Sequence, residues 1–207
     1  MNRIGLAMAV LLAGSPAWGQ SFVNGSLTGP AGYSMLPPGW SHLMPDCDTE
    51  DANGPHEFYN LSPDGGTFVA GAEATTQNPI GVEAFEQSVS GFTPGVEYTI
   101  HFYQSNLGFG TGNVGGGWGA IANWELYLDG DATGLFSDAM APTTGALPNN
   151  FWSASSITFT ATAGTHAIGF GPHSVDGLNT FLGIDGLAFA PLVATEPATL
   201  SRIKALY

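Results

Sequence analysis

Basic residues are almost missing from this chain. Arg3, Arg202 and Lys204 stand against seventeen Asp and Glu, for a formal net charge of −14 with His neutral. Binding to phosphate needs cations that release counterions, so nucleic acid and anionic lipid surfaces are excluded as partners. A surface this acidic suits a soluble exported protein, or one that lives in salt or binds divalent cations. Cysteine is nearly absent too. Cys47 stands alone, which excludes an intrachain disulfide and makes the fold stand on its core; the thiol is either buried or links two chains. Catalytic signatures are missing in the same way: there is no G-x-S-x-G, no H-E-x-x-H and no nucleophile beside a His, and the five His are scattered. Paired carboxylates of the glycosidase kind are not excluded by sequence.

What is present begins with an export signal. Arg3 supplies a positive start, "IGLAMAVLLAG" is an apolar run too short to cross a bilayer, and "SPAWGQ" places small residues at Ala17 and Gly19. Residues 1–20 are therefore expected to be a signal peptide cleaved near Gly19 or Gln20. The stretch from Ile4 to Gly14 has no polar face for a surface helix. Its removal takes away one of the three basic residues and none of the acidic ones. The expected location is outside the cytoplasm, secreted or at the cell surface.

The rest, at 207 residues in total with 30 Gly and 14 Pro, has the composition of one domain of short strands joined by turns. In "YTIHFYQ" Tyr98, Ile100 and Phe102 fall on one face and Thr99, His101 and Tyr103 on the other. In "NWELYLDG" Trp124, Leu126 and Leu128 oppose Glu125 and Tyr127. "SFVNGSL", "GTFVAGAEA", "EAFEQSVSGF", "SASSITFTAT", "GTHAIGFGP" and "LGIDGLAFAPL" read alike, each bounded by Gly, Pro, Asn or Asp. The expectation is an all-β jelly-roll sandwich of about eight antiparallel strands over residues 21–192. Pro94-Gly95 predicts a type II turn, and Asp129-Gly130 a hairpin. Pro37 to Pro63 and Gly108 to Gly119 are expected to be long loops, where binding usually sits.

"FVNGSL", "LPPGW", "EAFEQSVSGFTPGVEYTIHFY", "FTATAGTHAIGFG" and "GIDGLAF", in that order, resemble galactose-binding-like jelly-roll domains of secreted proteins. These include bacterial proteins with the PEP-CTERM sorting tail, plant cell-wall domains and several carbohydrate-binding modules. The likeness covers about Phe22 to Leu192, and its motifs mark the fold more than a ligand. It implies a structural calcium ligand at Asp185, in "GIDGL". A carboxylate within an apolar run is costly unless paired or metal-bound; a turn-capping Asp beside Gly186 is the other reading. Domains of this kind often carry an acidic residue after the first "NG", where this chain has Ser26-Leu27.

"PDCDTEDANG" offers Asp46, Asp48, Glu50 and Asp51 as further calcium ligands, since Ca²⁺ takes several oxygens from a flexible loop. Counted from Asp46 the twelfth position is Glu57, which serves only if "GPHE" folds back. An acidic solvated loop is the alternative. The Gly-rich "NLGFGTGNVGGGWGAIANW" lacks the Lys-Ser/Thr of a phosphate loop. Its Phe109 and Trp118 either tuck onto the core or stack on a ligand. His101, Tyr103, Glu125 and Tyr127 would hold a sugar if their strands are neighbours, and would otherwise line an ordinary wet face. The expected function is non-enzymatic binding of a glycan or matrix polysaccharide; a structural surface or biofilm protein and a carbohydrate-active enzyme are the alternatives. Finally, residues 193–207 are expected to be a flexible tail. "TEPATL" keeps Glu196-Pro197 of a PEP-CTERM signal, but ten residues follow Pro197 where a span needs ~20 apolar ones, and Arg202 and Lys204 fall within them.

Overall fold

Apolar and polar alternation becomes strand in all but one of the segments that show it. The computed structural model describes residues 19–56, 58–74, 81–108, 119–143 and 148–190; the expected signal peptide up to residue 18 and the tail lie outside these. The strands are β1 (Ser41–Met44), β2 (Asp48–Glu50), β3 (Phe68–Ala74), β4 (Gly81–Val82), β5 (Ala84–Ser90), β6 (Glu97–Asn106), β7 (Ala122–Leu128), β8 (Asp131–Phe136), β9 (Trp152–Thr160), β10 (Thr165–Ser174) and β11 (Thr180–Phe189). One sheet runs β1-β5-β10-β7-β8 and the other β2-β3-β11-β6-β9, with β4 paired to β3. All the pairings are antiparallel.

Take β3 and β5 to β11 as strands one to eight. The second sheet then reads one-eight-three-six and the first two-seven-four-five, so chain-successive strands mostly alternate between sheets in the order of a jelly roll. The main core lies between the sheets. Tyr98, Ile100 and Phe102 from β6 meet Trp124 and Leu126 from β7 and Ile168 and Phe170 from β10 there. Each large buried apolar side chain contributes roughly 1.5–3 kcal/mol.

A second cluster covers the outer face of the β2-to-β9 sheet. Tyr59 and Leu107 from loops pack with Phe68, Ala70, Ala72, Trp152 and Phe181, and half-buried Tyr103 joins them. Strands β3 and β11 are consequently covered on both faces over much of their length.

Both predicted turns form. Gly95 has φ 84° and the Val96 amide donates to the Thr93 carbonyl at 3.1 Å, as a type II turn requires. Asp129 and Gly130 have φ of 54° and 89° between paired Leu128 and Asp131, the mirror-type hairpin turn.

Three expectations are corrected. "SFVNGSL" is a turn, because Asn24 has φ 56° and its side chain binds both the amide and the carbonyl of Thr28; Leu27 still plugs the core. The stretch from Pro37 to Pro63 is not all loop, since it contains β1 and β2, which extend the sheets at their edges. And β8, five of whose six residues are exposed, has no apolar alternation to announce it. Among the described residues no helix is long and apolar enough to cross a membrane.

Candidate functional site

The two-residue period of β2 sends Asp48 and Glu50 to one face and Cys47 and Thr49 to the other. Asp48 sits opposite Ala70 and Glu50 opposite Phe68, so both carboxylates join the outer face of the second sheet. They are buried, Glu50 completely and Asp48 to 6% exposure. The chain then turns: the Asp51 amide donates to the Gly54 carbonyl at 2.9 Å, the Asn53 amide donates to Asp51 Oδ1, and the Tyr33 hydroxyl donates to the Pro55 carbonyl at 2.7 Å.

This turn returns His56 over the strand. Its Nδ1 bonds to Glu50 Oε1, and its Nε2 lies 3.6 Å from Asp48 Oδ2. The edge-on rings of Tyr33 and Phe181, at 4.7 and 5.2 Å, fix the imidazole plane. One donor atom each from Asp48, Glu50 and His56 falls within 4.8 Å of the others.

The electrostatics follow from burial without basic residues. Burial pushes Asp48 up to about 6, against the Ser34 amide and His56, which pull it down. Burial pushes nearby Glu83 up to about 7, against a hydrogen bond from the Ala72 amide, and the charges of Asp48 and Asp46 push it further. For His56 burial acts downward, but the bond and charge of Glu50 with the charges of Asp48 and Glu83 outweigh it, and the net shift is upward.

Sequence reasoning named Asp48 and Glu50 but grouped them with Asp46 and Asp51. Asp46 is exposed before the strand begins, and Asp51 lies beyond its end and caps Asn53. Neither belongs to the cluster. Gly54, Pro55 and His56 turn back over the strand and deliver His56, which sequence reasoning passed over; Glu57 lies outside the described residues. Glu83 had no signal, since only the β3–β4 pairing brings it here.

Asp185 lies on the same outer face, 1% exposed. Its Oδ2 accepts from the Ser62 hydroxyl, which in turn accepts from the Asp64 amide, and its Oδ1 has no hydrogen-bond partner. Burial pushes its carboxyl up to about 7, opposed by the Ser62 hydroxyl and the neighbouring Gly186 amide and helped by the charge of Asp64. The unpartnered Oδ1, with the Ser62 hydroxyl on the other carboxylate oxygen and the charge of Asp64 acting on the group, is oxygen chemistry of the type a hard cation takes, although Ser26, on the nearby cleft with Asp64, brings no carboxylate.

The sugar face expected from His101, Tyr103, Glu125 and Tyr127 does not assemble. β6 and β7 belong to opposite sheets, so the two pairs point away from each other. Exposed His101 and half-buried Tyr103 share the outer face of the second sheet. Tyr127 is 5% exposed, with its Cβ against Gly169 and its ring over Gly171 of β10, and Glu125 accepts from the Gly134 amide. Phe109 and Trp118 lie outside the described residues.

A cleft that sequence reasoning missed opens at the end of the sandwich where β6 stops and β9 starts. It encloses about 410 Å³ and is lined by Asn106, Met140, Thr143, Asn149, Phe151 and Ser153 among others. Phe151 is 80% exposed, an aromatic ring standing in water beside amides and hydroxyls. No carboxylate is among the described residues that line it.

No family model matches the chain, and no curated protein matches it. Among solved structures it is similar to the EclA C-terminal domain, a sugar-binding protein, at 18% identity and TM-score 0.35, over 66% of this chain and 87% of that one. It is also similar to the cleaved adhesin domain of Lys-gingipain from Porphyromonas gingivalis, at 12% identity and TM-score 0.44, over 78% of this chain and 98% of that one. A third likeness is to the enzymatically active domain of a bacteriophage CBA120 tailspike protein, at 12% identity and TM-score 0.39, over 74% of this chain and 19% of that one. Scores at this level carry no ligand or activity from those proteins to this chain.

Proposed function

We infer that this is an exported, non-enzymatic β-sandwich domain that binds a glycan or matrix polysaccharide in the end cleft. The observation that carries the reading is Phe151, whose exposed ring borders a cavity edged by Asn106, Thr143, Asn149 and Ser153. Sugar rings stack their C–H faces on aromatic faces and exchange hydrogen bonds with amides and hydroxyls, and this cleft offers both. Hydrolysis of a glycosidic bond calls for two carboxylates flanking it, which the described lining does not supply. Export, by the N-terminal signal, and a structural Ca²⁺ at Asp185 with Asp64 and Ser62 belong to the same reading.

The test is a polysaccharide panel with wild type and Phe151→Ala. A side chain this exposed leaves the fold unchanged when truncated, so melting curves should coincide while binding weakens at least tenfold. Binding that survives the substitution moves the ligand elsewhere, and no binding to any member of the panel favours a structural matrix protein. Release of reducing ends would make the protein an enzyme.

A further inference from the structure

We propose that Asp48, Glu50 and His56 form a binding site for a divalent transition-metal ion of the Zn²⁺ type, held between His56 Nε2 and Asp48 Oδ2 with Glu50 orienting the imidazole. The first argument is charge. From residue 4 to residue 201 the chain has no Lys or Arg, so among the described residues only imidazoles can carry positive side-chain charge. Yet Asp48, Glu50 and Glu83 are each more than nine-tenths buried, and a buried carboxylate is costly unless paired, protonated or metal-bound. His56 can neutralise one of them. The others keep their burial cost, and a dication between Asp48 and His56 removes it.

The second argument is the geometry of the ring. Glu50 Oε1 bonds to Nδ1, so Nε2, which faces Asp48, is the nitrogen that gives up its proton when a metal ion binds and offers its lone pair there. Carboxylate–imidazole–metal relays are built in this way. Two ligands about 2.0–2.1 Å from one tetrahedral ion lie roughly 3.3 Å apart; Nε2 and Oδ2 are 3.6 Å apart, and a small rotation closes the difference. Asp48 is itself held, its Oδ1 accepting from the Ser34 amide at 2.6 Å. The imidazole side chain keeps 21% exposure, so water reaches the remaining coordination positions.

The third argument separates this ion from calcium. Ca²⁺ takes oxygen ligands only, six to eight of them, and an imidazole nitrogen among two carboxylates selects a borderline metal. Cys47 is adjacent in sequence but does not contribute, because its sulfur points into the main core toward Gly71.

The test uses the full chain, stripped with chelator, titrated with ZnSO₄ and separately with CaCl₂ while melting temperature and binding heat are read. One equivalent of Zn²⁺ should bind and raise Tm in proportion to the logarithm of its excess. Asp48→Asn and His56→Gln should each weaken that binding at least tenfold. Co²⁺ should give a visible absorption band that both variants lose, without the near-ultraviolet sulfur band a Cys47 ligand would add. Melting curves of the metal-free variants identify a folding defect; if one variant unfolds, the other and the Co²⁺ spectrum of the wild type decide. A Ca²⁺ effect unchanged in both variants belongs to Asp185 and leaves this proposal to the Zn²⁺ result. The proposal is overturned if Zn²⁺ neither binds nor shifts Tm, or if both folded variants bind it as the wild type does. It does not depend on the glycan reading, which Phe151→Ala tests alone.

Discussion

His166 Nδ1 lies 2.7 Å from Asp129 Oδ2, while its Nε2 accepts from the amides of Thr162 and Ala163, both at 3.1 Å. An Nε2 that accepts carries no proton, so the ring is the neutral tautomer that donates from Nδ1. One buried imidazole thereby joins the β7–β8 hairpin to the turn before β10, and Asp129 Oδ1 completes the tie by accepting from the Ala167 amide.

Asp129→Ala leaves the His166 N–H without its partner at 1% exposure and puts Ala at a positive φ, which together should cost about 1–3 kcal/mol. Asp129→Asn retains an acceptor and tolerates that φ, so it should cost less. Urea unfolding of the two variants reads the order, and equal losses would show that the charge and not the acceptor matters.

The same turn shows what was legible in the sequence. Asp129-Gly130 announced the hairpin because its chemistry is local, and Pro94-Gly95 announced its turn for the same reason. Seven of the eight jelly-roll strands followed from the alternation that two opposed sheets impose, while β8, exposed at a sheet edge, has none. Which strand lies beside which was not legible, because pairing is decided by contacts far apart in sequence; hence Tyr103 and Tyr127, alike on paper, face opposite ways. The Asp48–Glu50–His56 cluster was half legible. Asp48 and Glu50 share a face by strand period, whereas His56 and Glu83 reach them only through a turn and a strand pairing. Phe151 gave no signal, since a single aromatic at a strand start looks the same whether it packs or projects.

Gly171 is where Tyr127 presses on β10. A Cβ there would come within 3.0 Å of the Tyr127 ring, 3.1 Å of Val82 and 3.2 Å of Ala84. Gly171→Ala should therefore destabilise the fold by about 1–3 kcal/mol through overpacking. Combining it with Tyr127→Leu should recover part of the loss, and a strictly additive double variant would show that the ring is not the obstacle.

Cys47 is fully buried, and burial, with the charges of Glu83 and Asp48, pushes its thiol well above the ordinary range. Reactivity needs the thiolate. The folded chain should resist thiol reagents over hours and show no disulfide-linked dimer without reductant, while in urea one thiol per chain should react at once. Fast labelling of the native protein would place Cys47 at the surface.

The pH dependence of stability should run opposite to that of most acidic proteins. Burial raises Asp48 to about 6, and Glu83 and Asp185 to about 7 each, whereas in the unfolded chain these groups titrate near 4. Between about pH 4 and pH 7 the folded state holds more protons than the unfolded one, so stability falls as pH rises through that window and levels off above it. Asp129 works the other way: although burial acts to raise its pKa, its bonds to His166 and Ala167 outweigh that and lower it, so its share is lost only as pH falls below the carboxylate range. In chelator, Tm should thus be higher near pH 5 than near pH 8, by several degrees for a domain of this size. Excess Zn²⁺ or Ca²⁺ at pH 8 should restore much of the difference, since an ion replaces the protons as counter-charge at Asp48 or Asp185. A chelated protein whose Tm rises steadily from pH 5 to pH 8 would mean that these carboxyls are ionised and solvated in the native state.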